Sequence, residues 1–189
     1  MDAVGTTDDR YTAERYFELV AQSLLRPDDR VELLDGVIVT GPPSGPSHAS
    51  VAGQIAQAVT LAVVPQAAVR VQLPLIAGTH SVPEPDVAVV TGTHGDYRDA
   101  HPTTALLAIE VFDSSLPQDR LTKTRIYAAA HIPEYWIVNL REACVEVLRA
   151  PDPATRAYGE RRIAHRGERL TLVALPGVSI AVGDLLPRS

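Results

Sequence analysis

The chain has 189 residues, 46% of them apolar and 21% charged, which is ordinary usage for a folded chain and argues against disorder. That length suits one domain with a sizeable core, expected to span 1–189, and the net charge of −6 argues against a general nucleic-acid coat protein, which needs excess positive charge for the phosphates. No apolar run reaches the ~20 residues of a membrane helix. The start, Met1 to Arg10, lacks a basic-then-apolar leader pattern, and the sole cysteine, Cys144, leaves no intrachain disulfide or cysteine metal cluster; a cytoplasmic location is expected.

In chain order, Thr12 caps a helix to about Ser23 with Tyr16, Val20 and Leu24 on one stripe. Val31–Leu34 and Val37–Val39 flank Asp35-Gly36, a hairpin signal. The loop Gly41–Ser47 ends in Ser47, a cap for a helix from His48 to about Val64, closed by Pro65. Strands are expected at Val69–Ile76, Pro85–Val90 and Leu106–Phe112, with a mobile connection from Thr91 to Thr104. A helix from about Arg120 to Ala130, capped by Asp119, precedes strands at Tyr135–Val138 and Cys144–Leu148. A β-rich extension at about 160–186 follows a core at about 12–150. Helices and strands in this mixed order predict an α/β (mixed α+β) fold, a central mixed sheet flanked by helices.

The chemistry gathers in three segments. In Leu106-Leu-Ala-Ile-Glu110-Val-Phe112, Leu107, Ile109 and Val111 face one way, and Glu110 shares the other face with Ala108 and Phe112. A carboxylate in so apolar a strand is costly unless it is paired or binds a cation. Asp86, directly after Pro85, falls at the lip of its strand, where proline fits the first position. Alone it would pass for a turn aspartate bonded to local backbone. With Glu110 on a neighbouring strand, the two form an oxygen-ligand pair for Mg2+ or Mn2+, since magnesium needs only one or two protein carboxylates. Lys123 is the only lysine among 17 Lys and Arg residues, and it sits on the next helix with Tyr127 one turn further on the same face. A solvated helix lysine is the bland alternative. Glu32 passes for a solvent-facing hairpin residue, and His48 for a capped or core histidine.

Together, Pro85-Asp86-Val-Ala-Val-Val, Ile109-Glu110-Val, Asp119-x-x-x-Lys123-x-x-x-Tyr127 and Ile132-Pro-Glu-Tyr-Trp-Ile-Val138 resemble the Uma family of restriction-endonuclease-like proteins, within the PD-(D/E)XK nuclease superfamily. Glu32-Leu-Leu-Asp-Gly36 and Ser47-His48 extend the resemblance over roughly residues 12 to 150. It implies a restriction-endonuclease-like core, with Asp86 and Glu110 as metal ligands and Lys123 as a catalytic lysine relocated from strand to helix. Glu32 and His48 match family positions beside the site. Phe112 stands at the superfamily's usual lysine position, Asp113 stands where the family often has serine, His131 replaces a frequent glycine, and Asn139 a frequent aspartate.

The expected function is a Mg2+- or Mn2+-dependent endonuclease that hydrolyses DNA, acting as a homodimer, with Arg120, Arg125, Arg161 and Arg162 as candidate DNA contacts or, equally, solvated surface charges. The alternatives are an inactive nuclease-fold binding or regulatory module, and a metal hydrolase of another phosphate ester. No Walker-type loop and no Ser-His-Asp or Cys-His signature is present.

Overall fold

The computed structural model describes residues 10–26, 30–41, 45–112 and 117–187. Helix α1 (Ala13–Ala21) is capped by the Thr12 hydroxyl, which accepts from the Arg15 N–H at 3.2 Å. Strands β1 (Val31–Leu34) and β2 (Val37–Thr40) pair as a hairpin. Its turn residues Asp35 and Gly36 both have positive φ, 50° and 85°, as the Asp-Gly signal requires. A side chain at Gly36 would meet Arg10 at 2.4 Å. Tyr16 ties α1 to the hairpin by donating to the Val31 carbonyl at 2.7 Å.

Helix α2 runs Pro46–Val63, and its cap position is Gly45 rather than the expected Ser47. Pro46 takes the first turn, where its missing N–H costs nothing, and so moves the start upstream. Strand β3 is Ala68–Val71, shorter than expected. Gln72 turns away at φ 48° and Pro74 has no N–H to continue the ladder. Strand β4 (Val87–Val90) is followed by a connection that is not structureless. Within it a 3₁₀ turn at His94–Tyr97 is closed by a reciprocal Thr93–Asp96 cap.

Strand β5 (Leu107–Phe112), helix α3 (Pro117–Ala129) and strand β6 (Glu134–Asn139) form a parallel crossover. Because α3 begins at Pro117, Asp119 is its third residue and not its cap. Strands β7 (Cys144–Asp152) and β8 (Ala157–His165) continue the sheet, so the chain beyond 150 adds a strand to the central layer. A small pair, β9 (Arg169–Thr171) and β10 (Ser179–Ala181), and a last turn, α4 (Val182–Leu185), cover one side.

The central sheet has the order β3-β4-β5-β6-β7-β8, antiparallel except at β5–β6. Its alternation makes two cores. Leu107, Ile109 and Val111 pack with Val51, Ile55, Val59 and Val63 of α2. Ala108 packs on the other face with Ala68, Ala88 and, from α3, Ile126 and Tyr127. The alternation expected for the Glu110 strand is therefore the alternation found. No helix among the described residues is long and apolar enough to cross a membrane.

Candidate active site

The register between β4 and β5 pairs Val87 with Ile109 and Ala88 with Ala108. Continued by one residue, it sets Asp86 across from Glu110 at the mouth of the sheet, on the α3 face. The Asp86 carboxylate reaches over its neighbour, accepting from the Val111 N–H at 2.8 Å. The His48 imidazole, in the first turn of α2, lies 3.1 Å from the same oxygen, and the Gln72 amide donates to the other at 3.2 Å. Burial alone would raise Asp86, but these three partners outweigh it and hold the carboxyl below its ordinary range.

Glu110 is in the opposite condition. It is 5% exposed, and one oxygen, Oε1, receives both the Lys123 ammonium at 3.0 Å and the Tyr127 hydroxyl at 2.7 Å. Among the described residues Oε2 carries no hydrogen bond. Burial pushes Glu110 up to about 8; the Lys123 charge opposes this, while the charges of Asp86 and Glu32 add to it. Tyr127 is raised well above its ordinary value by burial and by Glu110, so it stays a donor. The i, i+4 spacing thus places both α3 side chains on one carboxylate oxygen.

Glu32 is not the solvent-facing hairpin residue of the bland reading. It lies 3.1 Å from the Lys123 ammonium, and its Oε1 also accepts from the Glu84 N–H at 2.5 Å. Lys123 itself is buried and bridges Glu32 and Glu110. Glu84, unremarked in the sequence, is raised to about 7, by burial first and then by Glu32. The signal that could have found it is the Pro-Glu-Pro-Asp run, which puts two acids two residues apart at a strand lip. Gln72 gave no signal; it reaches Asp86 only because β3 ends in a turn.

The structure thus brings together two bonded groups, Asp86 with His48 and Glu110 with Lys123, Tyr127 and Glu32, set side by side where the Asp86 charge acts on Glu110. Asp113 lies outside the described residues. Phe112 is half-buried against the α3-side core, so the ammonium beside Glu110 comes from the helix. Asn139 accepts from the Glu142 N–H at 3.1 Å and shapes the turn into β7, and His131 sits at φ 57°. Three of the four arginines read as DNA contacts are committed elsewhere. Arg120 and Arg161 converge on the buried Glu146, because that acid needs counter-charge, and Arg162 pairs with Glu168 at 2.5 Å. Arg125 is exposed.

The donor set suits a hard divalent cation. Asp86 is held ionised, Glu110 offers a second oxygen, and the Asp86 charge beside it adds to the cost of ionising Glu110, a cost that a shared cation would offset. Among the described residues no group of three or more His, Cys, Asp and Glu is arranged to hold a metal. Two carboxylates completed by water and substrate oxygens is the arrangement this chain can supply.

The crystal structure of a putative nuclease belonging to DUF820, from Anabaena variabilis ATCC 29413, superposes with a TM-score of 0.71 over 92% of this chain and 96% of that one, at 18% sequence identity. At that identity the likeness speaks to the fold. No curated protein matches the chain. A family model described as Uma2, putative restriction endonuclease, matches residues 13–183. This nearly full-length match shows that the chain belongs to the Uma2 family, whose description is nuclease-like.

Proposed function

We propose that this protein is a divalent-metal-dependent endonuclease that hydrolyses DNA phosphodiester bonds, with Asp86 and Glu110 as the metal ligands. The observation that carries the reading is the β4–β5 register, which continued by one residue sets these two acids opposite each other, with the chain's only lysine ammonium 3.0 Å from one of them. Mg2+ or Mn2+, when bound, would polarise the scissile phosphate and acidify a water molecule. Each remaining part of the cluster has a role in that chemistry. Lys123, fixed between Glu32 and Glu110, holds positive charge where negative charge develops on the phosphate oxygens. Tyr127 fixes Oε1 of Glu110 and so leaves Oε2 as the oxygen for the metal. His48 and Gln72 orient Asp86 and keep it ionised. One such site cuts one strand, so we read the homodimer as the unit that cuts both.

The test is nicking of supercoiled plasmid with Mg2+ by the wild type, Asp86→Asn and Lys123→Met. Nicking by the wild type that falls at least ~100-fold in both variants supports the reading. Equal residual nicking in all three overturns it. Hydrolysis confined to RNA or to a mononucleotide would keep the metal site and replace the substrate.

A further inference from the structure

Arg70 is a buried charge that the catalytic reading leaves unused. It lies in β3 across from Ala88 and is 7% exposed. A buried arginine is normally paired with an acid. Among the described residues none pairs with this one. Its Nη2 donates to Nδ1 of His101 at 3.3 Å, its guanidinium carbon lies 5.4 Å from the centre of the Tyr97 ring, and its Nε is buried without a hydrogen-bond partner. A guanidinium only donates, so His101 Nδ1 is the acceptor and the imidazole is neutral. Burial and the Arg70 charge both lower His101, in agreement with that state. The ring is stacked on Phe17, 5.1 Å between centroids, which holds it in place. The positive charge is therefore framed by aromatic and imidazole rings and, among the described residues, left without an anion.

Its position gives this meaning. Ala88, across from Arg70, follows Asp86 by two residues, and Ala108, across from Ala88, precedes Glu110 by two. Ala68, Ala88 and Ala108 share the α3-side core, so Arg70, two residues from Ala68, is on the face that carries the acid pair. The offset along the strands is two residues, roughly 7 Å. Tyr97, His101 and Phe17 are themselves partly exposed, so the cover over the guanidinium is thin.

We infer that Arg70, framed by His101 and Tyr97, is an oxyanion site that holds a backbone phosphate of the substrate strand beside the one to be cut. The phosphate supplies the negative charge missing from this cluster, and Arg70 supplies the strand grip that the committed arginines 120, 161 and 162 do not. The assignment of the phosphate to a nucleic-acid strand rests on the proposed nuclease function.

The experiment is binding of a labelled duplex oligonucleotide with divalent metal chelated, over a range of salt, by the wild type and Arg70→Gln. Loss of Arg70 is expected to weaken binding ~10-fold and to lower the salt slope by about 1. Unchanged affinity and slope overturn the inference. If the variant does not fold, inorganic phosphate is titrated into the wild type and the ring resonances of the six histidines are followed. A saturable shift centred on His101 supports the site; no shift, or one that never saturates, overturns it. A saturable phosphate shift without any effect of Arg70 on duplex binding overturns the strand assignment. Nothing is cleaved in these assays, so a protein that binds through Arg70 but never nicks plasmid fails the nuclease reading alone.

Discussion

Glu110 and Glu134 stand on the adjacent strands β5 and β6, both buried and both met by a base, yet their surroundings differ in kind. Glu134 has every oxygen in use. Oε1 takes the Trp136 indole N–H at 2.8 Å and two Arg149 donors at 2.8 and 2.6 Å, and Oε2 takes the Val173 N–H at 2.9 Å. Among the described residues Glu110 has one crowded oxygen and one left over, and a second acid beside it. A buried acid satisfied on all sides holds elements together; here it fastens the chain before β10 to the sheet. A buried acid satisfied on one side only, next to another acid, is costly to the fold by itself and useful to a cation.

Breaking each acid's partnership separates the two roles. Removing Arg149 with Arg149→Ala leaves Glu134 as an uncompensated buried charge, and the denaturant midpoint should report a loss of about 3–5 kcal/mol. Nicking per folded molecule should not change. Glu110→Gln should do the reverse. It lowers the nicking rate at least ~100-fold, about 2.7 kcal/mol of barrier, while stability at pH 8 stays equal or rises. The amide can still accept from Tyr127, and Lys123 keeps Glu32.

The pH dependence sharpens the contrast. Glu110 is raised from 4.5 to about 8, and Glu84 from 4.5 to about 7. A carboxyl raised by folding favours the folded state in its protonated form, so this contribution is full below about 4.5 and is lost as pH rises through about 8. Asp86 acts with the opposite sign, because its lowered value is lost as stabilisation only when the pH falls through it. Stability measured at low ionic strength should therefore decline from mildly acid to mildly alkaline pH in the wild type. The decline should be shallower in Glu110→Gln. The same slope in both proteins would remove Glu110 as its source. The smallest effect belongs to His131, between α3 and β6 at φ 57°, where glycine adopts the backbone without strain. His131→Gly should raise stability by about 1 kcal/mol, read as a small upward shift in midpoint, with no effect on nicking.

Local pattern carried much of this arrangement. The alternation of Leu107–Phe112, the proline that starts Asp86, and the four-residue step from Lys123 to Tyr127 are properties of single segments, and each leads directly to its place in the cluster. What the segments could not carry was which distant side chains meet. Glu32 reaches Lys123 because the hairpin packs beside α3, and Gln72 reaches Asp86 because β3 stops early. Strand β8 was obscured for another reason. It is an edge strand with mostly exposed side chains, so Glu160-Arg-Arg162 shows no apolar alternation. Arg120 and Arg161 looked like surface charges because Glu146, the buried acid they neutralise, gives no sign of its burial in a run of alternating residues.

The central claim is that Asp86 and Glu110 share one divalent ion. Its most direct test is a titration of Mn2+ followed by electron paramagnetic resonance, with wild type, Asp86→Asn and Glu110→Gln compared at pH 8. The account predicts saturable binding of one ion by the wild type and its loss or severe weakening in each variant. Equal binding by all three proteins, or none by the wild type in the presence of duplex DNA, would contradict it.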